Sequence, residues 1–114
     1  MHEQITVLLG NYPPEVVSLF HTLRKLIYDS IPDTPEEKLW AKLPSYYVGE
    51  AFVRLIPFKD HINIEASAAA AYQDALAGYK FTPKGMLQIY VRQAVPDAVL
   101  TQIFRKSLLG EFYI

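Results

Sequence analysis

Residues 51–66 read AFVRLIPFKDHINIEA, and the two halves of this stretch alternate differently. From His61 to Ala66 the pattern is clean, with His61, Asn63 and Glu65 set against Ile62, Ile64 and Ala66. Successive side chains of a strand point to opposite sides of a sheet, so this half predicts a strand with one apolar and one polar face. In residues 51–58, Val53 and Leu55 share one face while Phe52, Arg54, Ile56 and Phe58 share the other. Both of these faces are largely apolar, although a strand with one solvated side should alternate as cleanly as its neighbour. Lys59-Asp60 between the halves is a tight turn, which makes the pair a hairpin. The stretch therefore predicts an antiparallel sheet with one core face and one face that is only nominally free.

Upstream, Pro13-Pro14 and Glu15 suit the first turn of a helix, where proline is tolerated and an acid meets the positive end of the dipole. Val16, Leu19/Phe20, Leu23 and Leu26/Ile27 recur at helical spacing to about Ile31, with Glu15, Ser18, Thr22, Lys25 and Asp29 on the opposite side. Pro32 ends the helix, and Asp33-Thr34-Pro35 is a turn. Residues 1–10 form a short amphipathic opener, and residues 37–42 and 45–48 read as strands around Pro44. Downstream, Ser67 is placed to cap an alanine-rich helix over 68–77 that stops at Gly78. Thr82-Pro83-Lys84-Gly85 turns into a last strand, Met86–Arg92, and Pro96-Asp97 opens a terminal helix carrying Val99/Leu100, Ile103/Phe104 and Leu108. No repeat or linker interrupts the order. It predicts a single α+β domain over 1–114: a mostly antiparallel sheet of about five strands, two long helices packed on one face, and a short helix.

A chain of 114 residues can bury a core without staples, and this one has no cysteine, which removes disulfides, thiolate nucleophiles and thiolate metal sites together. The net charge of −1 makes no field that attracts phosphate backbones, so nucleic acid is not an expected partner. No apolar stretch approaches the roughly twenty residues that span a bilayer, and MHEQITVLLGNYPPE lacks the basic flank of a signal peptide. The expectation is a cytoplasmic protein with no membrane partner.

Chemistry is sparse. His2 is terminal, and His21 has no histidine or carboxylate three or four residues away with which to share a ligand. His61 and Glu65 share a strand face and are the one local His/Glu pair, yet stable metal sites take three or four ligands. Asp33, Glu36 and Glu37 form the densest acidic cluster, in a turn. Lys84-Gly85 lacks the glycine run of a phosphate loop, and no serine sits in a nucleophile elbow. No catalytic residue and no resident cofactor are expected. The expected surface is the far sheet face, where Arg54, His61, Asn63, Glu65, Gln88, Tyr90 and Arg92 surround Phe52, Ile56 and Phe58. Three covers suit that apolar side: the C-terminal Phe112-Tyr113-Ile114, a second copy in a homodimer, or a small-molecule ligand.

PEVVSLFHTLRKLIYDSIP, EEKLWAKLPSYYV, AFVRLIPFKDHINIEA and LAGYKFTPKGMLQIYV, followed by a proline-opened helix, together resemble the YdhG-like family of small bacterial domains of unknown function. The resemblance spans about residues 5–109, and its most telling pieces are Leu43-Pro44, the hairpin from Phe58 to Ile62 and Gly85 before the last strand. It implies the same helix-on-sheet layout. The family includes a member described as a frataxin-like intracellular iron chaperone, so the resemblance also implies an alternative, iron handling. Its ligands would be drawn from His61, Glu65, Asp33, Glu36 and Glu37. Acidic residues here are scattered, with Glu15 and Asp29 standing alone on the long helix, and the residues themselves favour a non-enzymatic binding or interaction domain.

Overall fold

The computed structural model describes residues 1–110. A short helix α1 (Glu3–Leu9) leads through Tyr12-Pro13 into the long helix α2 (Pro14–Ser30). Pro13 is the N-cap and Pro14 the first helical residue, where a missing N–H costs nothing. Val16, Leu19, Phe20, Leu23 and Ile27 are buried, and Glu15, Ser18, Thr22, Lys25 and Asp29 are exposed, as the spacing predicts, whereas Leu26, expected on the same stripe, is only half-buried at its edge. Ile31 leaves the helix extended, at φ −129° and ψ 151°, as a residue before proline prefers.

Six strands follow: β1 (Glu36–Trp40), β2 (Leu43–Val48), β3 (Ala51–Pro57), β4 (His61–Ala66), β5 (Lys80–Phe81) and β6 (Leu87–Tyr90). They form one sheet in the order β1-β2-β3-β4-β6-β5, with every neighbouring pair antiparallel. The expected sheet had about five strands. The additional one, β5, has two residues, too few to show an alternation. A final helix α3 (Asp97–Leu109) begins after Pro96.

Two local expectations are corrected. The first turn between strands is at Ala41-Lys42, both with positive φ (49° and 66°), and not at Pro44. Pro44 lies near the start of β2, ahead of the β2–β3 ladder that opens at Ser45↔Arg54, a position proline tolerates. The alanine-rich segment is not one capped helix but two short 3-10 turns, Ala69–Tyr72 and Asp74–Leu76. It buries only Ala69 and Leu76, too little apolar stripe to hold a longer helix. Ser67 makes no cap there; the Ala68 N–H donates to the Ser107 hydroxyl on α3 at 3.1 Å.

One core joins α2 and α3 to the inner sheet face, with Tyr46, Val53, Leu55, Ile62, Ile64, Leu87 and Ile89 meeting Phe20, Leu23, Ile27, Ile103 and Phe104. The C-terminal half of α3 is tied to the end of α2 where Arg105 Nε donates to the Ser30 carbonyl at 2.8 Å. Among the described residues, no helix is long and apolar enough to cross a membrane.

Candidate functional site

Cross-strand register decides what stands on the outer face. Paired residues point to the same side, so Lys38, Ser45, Arg54 and Glu65 form one row across four strands. Ile56, Asn63, Gln88 and Lys80 form the next row. His61 opposite Tyr90 continues the face to the end where the chain turns at Phe58-Lys59-Asp60. Phe52 faces Tyr47 at the other end. Register thus puts Phe52, Arg54, Ile56, His61, Asn63, Glu65, Gln88 and Tyr90 on this face, Phe58 joins it by stacking on His61, and Arg92 lies in the turn after β6.

Arg54 organises one half. Although charged, it is 6% exposed. Its Nε donates to Ser45 Oγ at 3.1 Å, Nη2 to the Tyr47 hydroxyl at 3.2 Å and Nη1 to Glu65 Oε1 at 3.3 Å. The guanidinium also lies 3.7 Å from the Phe52 ring centroid and 4.1 Å from that of Trp40, a sandwich that both rings stabilise through their quadrupoles. The neighbouring arginine thus covers part of the Phe52 ring from within the chain, leaving it half-buried. Phe112-Tyr113-Ile114 lie outside the described residues.

The other half is a ladder of rings. Phe58 and His61 stack at 4.6 Å between centroids with planes 3° apart, and His61 and Tyr90 stack at 4.6 Å and 26°. His61 Nδ1 lies 2.8 Å from Asp60 Oδ1 and its Nε2 is 3.5 Å from Gln88 Nε2, which also donates to Asn63 Oδ1 at 3.1 Å. In the tautomer that donates Nδ1–H to Asp60, Nε2 is left as an acceptor facing the Gln88 amide. Lys80 sits 5.6 Å from the Tyr90 centroid. Trp40 and Phe58, 52% and 41% exposed, are the large apolar side chains left open on this face. Trp40 was not singled out from the sequence, where it reads only as part of an edge strand; its parity with Lys38 is the signal that places it outward.

The metal candidates are not brought together. Glu36 and Glu37 alternate to opposite faces, Glu36 lying 3.6 Å from Lys38 and Glu37 pointing inward. Asp33 is exposed in the loop before β1. His61 and Glu65 share a face, but four residues of strand separate their backbones by about 13 Å, and they engage Asp60 and Arg54 respectively. Among the described residues, no group of three or more His, Asp or Glu side chains converges.

Glu37 belongs instead to an interior network. It accepts from Arg24 Nε at 2.6 Å, from Arg24 Nη2 at 3.3 Å and from the His2 backbone N–H at 2.7 Å, which ties the start of α1 to β1. Burial alone would raise its pKa, but the Arg24 hydrogen bonds and the His2 N–H hold it below the ordinary carboxylate range. The Tyr46 hydroxyl is near enough to feel that charge. It has no partner at hydrogen-bond geometry, and burial, reinforced by Glu37, pushes its pKa far up. On the helical side, an open, mostly apolar groove of about 800 Å³ runs between α1 and α2, with His21 and Lys25 on its rim. Lys25 there is paired with Asp29 at 2.5 Å, and no polar constellation converges in the groove.

No protein-family model, curated protein or solved structure matches the chain.

Proposed function

We propose that this is a non-enzymatic binding domain whose working surface is the helix-free face of the sheet, a reading that fits its resemblance to the YdhG-like domains. The observation that carries it is the pair of exposed rings, Trp40 and Phe58, mounted on a layer whose other members already satisfy one another. Arg54 is held by three acceptors and two rings, so the layer beneath does not need a partner to be stable. What is left uncompensated is apolar ring surface, at about 25 cal/mol per Å² of potential burial. Single exposed apolar residues need no explanation, but two on one face, beside a third ring system, form a platform.

The test is a ¹H–¹⁵N correlation spectrum of the protein titrated with a mixture of planar aromatic fragments, alongside sedimentation velocity. Shifts should gather on Trp40, Arg54, Phe58, His61 and Tyr90. Shifts confined to the α1–α2 groove, or none anywhere, would contradict the reading. Sedimentation separates a second copy as occupant: a dimer that Phe58→Asp splits would make the partner this chain itself. A saturable ferrous ion shifting His61 and Glu65 would move the assignment to iron handling.

A further inference from the structure

The whole-chain charge of −1 averages over surfaces that the fold keeps apart. On the outer sheet face Glu36 is paired with Lys38 and Glu65 with Arg54, while Asp60 accepts a hydrogen bond from the His61 ring and keeps its own charge. Three cations around the ring ladder have no acid partner among the described residues. Lys59 follows Phe58 in the β3–β4 turn, Lys80 flanks Tyr90 from β5, and Arg92 lies in the turn after β6. All three are exposed. One corner of the face thus sets stacked rings beside three cations, Lys59, Lys80 and Arg92, against the single carboxylate of Asp60, a local excess of positive charge.

We propose that this corner binds single-stranded nucleic acid, a base stacking on Phe58 and its flanking phosphates meeting Lys59, Arg92 and Lys80. This rests on the open face being the working surface, and it names the occupant. Aromatic stacking is indifferent to which base is presented, and cations beside the rings track a backbone, which is the combination single strands select. The platform also extends across strands: Trp40 on β1 and Tyr90 on β6 are four strand spacings apart, about 19 Å, a length that suits several nucleotides of an extended strand better than one mononucleotide. A double helix hides its base faces, so the rings give no advantage there.

The experiment is fluorescence anisotropy with labelled oligothymidylate and oligouridylate of about twelve nucleotides, at low and moderate salt, with Trp40 emission followed in parallel. Saturable binding is expected, stronger than to a duplex of equal length, with Trp40 quenched. Phe58→Ala should weaken it about tenfold and Phe58→Tyr should retain it. The double variant Lys59→Glu/Arg92→Glu should weaken it and flatten the dependence of log affinity on log salt. Absence of saturable binding at low salt, equal affinity for duplex, or indifference to Phe58→Ala would overturn the proposal. If oligonucleotides fail while aromatic fragments still shift Phe58 and His61, the occupant is wrong and the open-face reading stands. If both fail, both fall. Phe58 is exposed, so its variants keep the fold, which an unchanged melting temperature checks.

Discussion

Arg54 shows how far one buried charge can be made safe, since its guanidinium has an acceptor or a ring for nearly every direction. Arg54→Ala should therefore cost about 2–4 kcal/mol, because it strands Ser45, Tyr47 and Glu65 and leaves a gap under Trp40. The Trp40 emission should shift red in the same variant, and a loss below about 0.5 kcal/mol by urea denaturation would show that the sandwich is ornamental. Tyr46 makes the opposite case: its buried hydroxyl lacks hydrogen-bond geometry, so Tyr46→Phe should be neutral or stabilising, by up to about 1 kcal/mol. A loss above about 1 kcal/mol would mean that the phenol does donate to Glu37. Glu37 itself sets a pH dependence. Its folded pKa is depressed, so the unfolded chain takes up the proton first, and the stability it adds is present above about pH 4.3 and falls away as pH drops below that. Urea midpoints measured between neutral and acid pH should show this decline in the native chain and a shallower one in Glu37→Gln, which should also be less stable at neutral pH because Arg24 loses its partner.

At the scale of elements, the hairpin β1–β2 is closed by two residues that both have positive φ, the arrangement of a type I′ turn, yet they are alanine and lysine. Replacing Ala41-Lys42 by Asn-Gly should raise stability by about 1 kcal/mol, read as a higher urea midpoint at unchanged slope; no gain would mean that the turn relaxes at little cost. The same residues explain why the turn was illegible: Ala-Lys carries no turn signal, whereas Pro44 and Gly49 do. Where periodicity was long and unambiguous, in α2, β4 and α3, the sequence placed both the element and its buried face. Alanine propensity misled over 68–77, because propensity without an apolar stripe does not hold a helix. The far-face residues were legible from parity in β3 and β4. That Phe52 is partly covered by its neighbour Arg54, and that Trp40 reaches across β2 to the same guanidinium, depend on side-chain directions that no strand pattern records.

For the whole molecule, the division is between a side that is finished and a side that is not. Helices α2 and α3 and the inner sheet face bury one another, so Leu23→Ala, at a site with no exposure, should cost about 2–5 kcal/mol. A loss under about 0.5 kcal/mol would place α2 in a different rotation. The outer face is complete as a layer and open as a surface, and that openness is the claim on which the binding reading depends. Trp40 is the sole tryptophan of the chain and stands on that face, so its fluorescence reports the state of the surface directly. Acrylamide quenching of the purified protein, repeated over a range of protein concentrations, should show a readily quenched indole whose accessibility does not change with concentration, and which becomes protected when the face is occupied by a single-stranded oligonucleotide or an aromatic fragment. A blue-shifted Trp40 that resists acrylamide in the protein alone, at every concentration, would mean that the chain already covers this face, and would contradict the account.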